Sequence, residues 1–409
     1  MRVPKIFLMM MAIVVALVVV ARAQDGEIEI RKGTNKTTVD VSGLQLSADG
    51  AARDFRDVLK LSIDRSGWLA SGAPGGSEYR VSGQAQYDGA TLRVTLMLAD
   101  TVRSRIMLEK NYSADANGVR RIAFQASDDI VKAITGRSGY ASARLVLVGS
   151  ATKSKELYLC DSIGFDSSSR GLFQLTNDKT VSIAPRWGHD GQSIFYTSYL
   201  KRFPAIVKID LKSLGRTRIA NYSGVNVSGT VSPDGRDMAV ILSRDGNPEL
   251  YVMNLGSREL TRITNTPRAT EASPAWSPDG RQIVYVSDGA GTPHLYIVAR
   301  GGGPARQLTT RGRQNTSPDW GPNGQIAYAS NVGGKFQILT INPAGGEPVQ
   351  ITSGFSDHED PSWAPNGRHL AIARTEGYKS GVYLIDTMGD PPIFLSNKSG
   401  DWFSPKWSR

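Results

Sequence analysis

His358-Glu359-Asp360 is the one local run in this sequence whose side chains have metal-like or acid–base character. An imidazole beside two carboxylates suits a divalent cation or a proton transfer, yet three adjacent residues rarely converge on one ion, and no second ligand cluster accompanies them. A polar surface for protein contact is the better reading. The other histidines, His189, His294 and His369, fall in different repeats or at turn positions. Neither a Gly-x-Ser-x-Gly elbow nor a His-Glu-x-x-His motif occurs, and no pair of carboxylates stands out for glycoside chemistry. Cys160, the sole cysteine, closes the apolar run Leu157-Tyr158-Leu159-Cys160 and reads as a small buried hydrophobe; one thiol forms no internal disulfide. The expectation is a protein with no catalytic residues, no bound metal and no cofactor.

These residues sit in a repeat with a period near 44. Its fullest copy runs Ser273-Pro274-Ala275-Trp276-Ser277-Pro278-Asp279-Gly280-Arg281, and the Trp position recurs as Trp187, Val231, Trp276, Trp320, Trp363 and Trp407, at separations of 44, 45, 44, 43 and 44. That period, with four strands per unit, is that of a β-propeller blade. Pro presets φ in the turn, Asp or Asn closes it through its side chain, and Gly takes the left-handed exit, so each Ser-Pro-Asp-Gly joins two antiparallel strands. The Trp ahead of it packs between neighbouring blades.

The sixth copy supplies only an inner strand, around Trp407. Residues 144–148, 156–160 and 172–175 form three strands without an inner partner, so pairing the two sets zips the ring shut and leaves no sheet edge. The predicted fold is an all-β six-bladed propeller over 143–409, preceded by an α+β domain over 24–137 and a linker at 138–142. In the smaller domain a strand (39–46), a helix (51–66), a hairpin turning at Asp88-Gly89, a third strand (106–112) and a helix (119–135) give the order β-α-β-β-β-α.

The first 23 residues read as a cleaved export signal: Arg2 and Lys5 precede a 15-residue apolar run, and Ala21-Arg22-Ala23 provides the cleavage site, after Ala23. Losing Arg2, Lys5 and Arg22 leaves about +7 of the formal +10 charge, scattered without long clusters, which argues against nucleic acid as partner and for a solvated surface. No later stretch approaches transmembrane length, so the mature protein is expected not to be membrane-embedded.

The order of these parts, with the helix Asp128-Asp129-Ile130-Val131-Lys132-Ala133-Ile134-Thr135-Gly136 directly before the propeller and the strand Glu249-Leu250-Tyr251-Val252-Met253, resembles the TolB family, periplasmic components of the Tol-Pal system of gram-negative envelopes. The likeness covers essentially the whole mature chain; Val231 in place of a blade Trp and a shortened loop at 67–78 depart from it. It implies a non-catalytic, monomeric periplasmic scaffold that supports outer-membrane integrity and constriction at division. The channel mouth would receive the peptidoglycan-associated lipoprotein Pal, colicins could usurp that site, and the mature N-terminus, with Glu27, Ile28, Glu29 and Ile30, would reach the inner-membrane protein TolA. The segments leading into the inner strands are small and polar, as a surface for extended peptides would be, and nominate Asn226, Val227, Ala272, Ser273, Asn315, Thr316, Ser317, His358, Glu359 and Asp360 as the mouth. A secreted propeller hydrolase and a ligand-sensing propeller are the alternatives.

Overall fold

A computed structural model describes residues 36–201 and 203–409. The predicted leader and Glu27, Ile28, Glu29 and Ile30 lie outside the described residues. No helix among the described residues is long and apolar enough to cross a membrane.

The N-terminal unit is a five-stranded sheet carrying two helices. Its order is Leu69–Ser71, Thr37–Leu46, Tyr79–Tyr87, Thr91–Asp100 and Arg105–Asp115. The helix Gly50–Arg65 starts where the Asp49 carboxylate accepts the Ala52 N–H at 2.8 Å, and it buries Phe55, Val58, Leu59 and Ile63. The helix Val119–Thr135 stops at Gly136, whose left-handed φ of 71° lets its N–H bond the Lys132 carbonyl. Both helices share one apolar core with the sheet. The stretch expected to be only a loop contains the short strand Leu69–Ser71, parallel to Thr37–Val39, so the order is β-α-β-β-β-β-α. Three residues carry too little pattern to announce a strand; the Thr37 edge they pair with exists only once the sheet is assembled.

Six four-stranded sheets follow. Blades one to five begin with the inner strands Ser182–Trp187, Asn226–Val231, Glu271–Trp276, Asn315–Trp320 and Asp357–Trp363. The sixth joins Trp402–Trp407 to Arg144–Gly149, Glu156–Asp161 and Leu172–Gln174, with Trp402 opposite Gly149 and Trp407 opposite Leu145. The two ends of the ring are thus held by backbone hydrogen bonds of an antiparallel ladder.

The apolar cores lie between blades. The joint of blades two and three contains Ile241, Leu250, Trp276, Ile283 and Tyr285, and that of blades one and two contains Ile206, Val231, Met238 and Met253. Two of the tryptophans also tie their blade to the one before by a hydrogen bond. The indole of Trp276 donates to the Thr230 carbonyl at 2.9 Å, and that of Trp187 to the Lys406 carbonyl at 2.8 Å across the closure. Where Val231 replaces the Trp, Met238 and Met253 fill the space.

The N-terminal unit rests on the end of the ring where the Pro-Asp-Gly turns lie, against blades five and six. Arg368 stacks over Trp68 at 4.2 Å, Tyr140 meets the rings of His369 and Trp407 at 4.7 and 5.5 Å, and the Tyr140 hydroxyl donates to the Arg65 carbonyl. The opposite end, where the inner strands begin, is left clear of these contacts.

Candidate functional site

Each inner strand bulges at its third position, counting that of blade five from His358. Pairing advances three residues on the inner strand for two on its neighbour, as between Ala272–Ala275 and Val286–Val284. The same skip occurs in all six blades. The extra residue is Ala184, Ser228, Ser273, Ser317, Asp360 or Ser404, each left-handed with φ between 48 and 60°. Such a backbone costs on the order of 1 kcal/mol per non-glycine residue and re-aims the side chain.

The bulge gives the first three positions different destinations. The first residue, Ser182, Asn226, Glu271, Asn315, His358 or Trp402, is at most 1% exposed, and Asn315 and His358 bond side chains of the preceding blade. The second, including Val227 and Ala272, packs toward the following blade. The third turns into the channel, where all six line a cavity of about 340 Å³.

The sites predicted from the sequence are therefore split. Ser273, Ser317 and Asp360 line the channel, and the Asp360 carboxylate accepts the Ser317 and Ser404 hydroxyls at 2.9 and 2.7 Å. Val227, Ala272, Thr316 and Glu359 are half-buried beside it. Burial, then the charges of Asp360 and Asp357, push the Glu359 carboxyl up. Asn226, Asn315 and His358 are not on the rim at all. The Asn226 amide bonds the Tyr222 and Gly224 carbonyls, Asn315 Nδ2 meets His294 Nδ1 at 2.9 Å, and His358 Nδ1 meets Gln337 Oε1 at 3.1 Å. His358 and Asp360 thus point to different places, and the triplet does not converge on one ion.

These joints follow one plan. A side chain near the start of the third strand reaches the first inner residue of the next blade: Glu249 to Glu271, His294 to Asn315, Gln337 to His358. A Thr just beyond the fourth strand braces it, accepting a backbone N–H and bonding the side chain, as Thr264 does with Leu250 N and Glu249 Oε2. The pairs Leu175-Thr176, Ile263-Thr264, Leu308-Thr309 and Ile351-Thr352 are the trace of this brace in the sequence.

Charged channel residues escaped the sequence reading. Arg186, Asp319 and Lys406 stand immediately before a Trp in their repeats, a position that a search for polar residues ahead of each Trp would have found. Asp319 Oδ2 accepts the Trp363 N–H at 2.7 Å, and Lys406 Nζ donates to the Pro361 carbonyl at 2.7 Å. Burial, then the neighbouring Arg186, bring the Lys406 ammonium down to about 8. Lys155 also lines the upper cavity, with its ammonium 5.1 Å from the Phe403 ring. Nothing local marks Lys155, because it belongs to the third strand's approach and not to the repeat motif. At the turn end a second cavity, of about 370 Å³, is lined by the five blade tryptophans and Val231.

Residues 131–409 match the family model described as the TolB beta propeller domain (PD40). The curated "Tol-Pal system protein TolB" of Desulfosudis oleivorans is 30% identical over 213 residues, 52% of this chain and 46% of that protein. Its namesake in Desulfotalea psychrophila is 30% identical over 180 residues, 44% of this chain and 40% of that one. The matched part thus spans about half the length of these relatives. Among solved structures, TolB from Acinetobacter baumannii superposes with a TM-score of 0.80 at 24% identity, covering 93% of this chain and 98% of that one. With its motif, six-bladed ring and two-layer N-terminal unit accounted for, the chain belongs to the TolB β-propeller family.

Proposed function

We propose that this protein is a non-catalytic periplasmic scaffold of the Tol-Pal system, exported by its N-terminal signal and holding a Pal-like lipoprotein at the channel mouth. The observation that carries this reading is the ring of six left-handed residues, mostly serines, around a channel end that the N-terminal unit leaves clear. A rigid rim of small hydroxyls suits an extended peptide, which needs close backbone approach and hydrogen-bonding partners. The mature N-terminus, with Glu27, Ile28, Glu29 and Ile30, is the proposed contact for a TolA-like protein. Such a link would support outer-membrane integrity and constriction at division, and import of colicin-like proteins could exploit it. The contact set at the mouth is narrowed to Ser273, Ser317 and Asp360, with Val227, Ala272, Thr316 and Glu359 beside them.

The test is calorimetric titration of the mature chain with the periplasmic domain of the Pal-like lipoprotein from the same organism. Asn tolerates the left-handed region and is larger than Ser, so Ser273→Asn with Ser317→Asn narrows the channel without unfolding it. A loss of about tenfold or more in affinity is expected, worth about 1.4 kcal/mol. Undiminished binding by a double variant of native thermal stability would sink the mouth assignment.

A further inference from the structure

The upper channel is electrically lopsided. Three cations, Lys155, Arg186 and Lys406, line its cavity on the side of blades six and one, against the single carboxylate of Asp360 on blade five. Two of these four charged groups are already engaged: Asp360 accepts two serine hydroxyls, and the Lys406 ammonium holds the Pro361 carbonyl. Arg186 is different. Its one hydrogen bond is from Nη1 to the Pro185 carbonyl beside it, at 2.9 Å, and it forms no ion pair among the described residues. Asp319 and Asp360 act on it only at longer range, and burial weakens its hold on its proton. A guanidinium with most of its donors free, set in a narrow channel wall, is a costly arrangement unless an acceptor completes it.

We propose that Arg186, flanked by Lys155 at the mouth, is a carboxylate-binding site, and that the carboxylate is an acidic side chain of the extended partner segment entering the channel. The fork of Arg186 matches a carboxylate in two parallel hydrogen bonds, which a point charge does not. Lys155, exposed at the mouth, draws the acidic group in, and Asp360 with Ser228 and Ser273 favours hydrogen-bond donors on the facing wall. The polarity therefore sets the direction in which the segment lies, acidic side against blades six and one. This inference rests on the scaffold reading for the identity of the partner, but not for the existence of the site.

Two measurements separate these. In the first, thermal unfolding of the mature chain is followed with malonate, at constant ionic strength, and with neutral malonamide as the matched control. Malonate should raise the midpoint saturably in the wild type, leave Arg186→Met unmoved beyond any general salt effect, and recover in part with Arg186→Lys. In the second, the Pal-like domain is titrated into the same proteins. Arg186→Met should bind about ten- to a hundredfold more weakly, the factor that losing a charge-assisted hydrogen bond gives, with Arg186→Lys between the two. An equal malonate response in wild type and Arg186→Met would overturn the site. A malonate response confined to the wild type, with unchanged lipoprotein affinity in Arg186→Met, would overturn the partner-borne carboxylate. Wild type that binds no lipoprotein domain would overturn the scaffold reading and leave malonate to decide the site.

Discussion

Glu249 and Glu271 face each other across the joint between blades two and three, both fully buried, with the Thr266 hydroxyl within 3.1 Å of one carboxylate and 2.8 Å of the other. Burial works against the Glu249 charge, but the Thr264 hydroxyl, the Thr266 N–H and then Arg262, paired at 2.9 Å, together hold that carboxyl below its ordinary range. Glu271 has only hydroxyls and its like-charged neighbour, and burial pushes it up to about 7. Below about pH 7 the joint therefore favours a proton on Glu271 over a second buried charge.

A carboxyl raised in the folded state stabilises fully below its unfolded pKa, and the contribution is lost as pH rises through the folded value. The joint should therefore weaken between about pH 4.5 and 7. Arg262, Asp245, Tyr251, Tyr285 and Tyr296 are the other titratable groups around the pair. Glu271→Gln keeps a donor for Glu249 and removes the titration, so it should match wild type in mild acid and exceed it by about 1–3 kcal/mol at about pH 8. Thermal unfolding of both proteins across that range checks this; parallel curves would refute the proton on Glu271.

His358 and His369 pull the other way. Burial, aided for His358 by Arg374, lowers each imidazole to about 4, and His358 Nε2 has no partner among the described residues. Protonation would bury an unsatisfied N–H, so stability should fall as pH drops from about 6.5 toward 4. In a Glu271→Gln background, where the opposing slope is gone, His358→Gln should flatten part of the acid limb. Urea titrations at several pH values would reveal it.

Ring closure rests on the strand Trp402–Trp407. Trp402 is 1% exposed, stacks edge-on against Tyr158 and Phe165, and covers Gly149. A Cβ on Gly149 would lie 2.3 Å from Trp402 Cζ3, so Gly149→Ala should cost about 1–3 kcal/mol by overpacking. Trp402→Ala should cost about 3–5 kcal/mol. Removing residues 402–409 exposes the Arg144–Gly149 edge and should convert a monomeric elution profile to aggregates. A truncated chain that stays monomeric with wild-type stability would contradict the role of the closure.

Arg368 fastens the N-terminal unit. Its guanidinium forms a buried two-point pair with Asp386, at 2.8 and 2.5 Å, and its face covers Trp68. Arg368→Ala leaves Asp386 buried without its cation, a loss of about 3–5 kcal/mol. Limited proteolysis should then release the N-terminal unit from the ring faster than in wild type, with cleavage mapped by mass spectrometry.

Much of this was legible in the chain. Six tryptophan-position residues at near-constant spacing, a turn motif after each and three unpartnered strands ahead of the first specified a closed six-bladed ring, because hairpin turns and strand periods are local properties. The helix caps at Asp49 and Gly136 were local too. What alternation could not reveal was the bulge. An unbroken strand sends residues one and three to the same face, which made Asn226, Asn315 and His358 look like neighbours of Ser317 and Asp360 on one rim. The extra residue, held left-handed by ladder pairing on both sides, breaks that period. It turns the third position into the channel while the first stays in the joint. Which polar residues bind and which only brace was thus decided by strand register, a relation between segments distant in sequence that only the assembled ring contains.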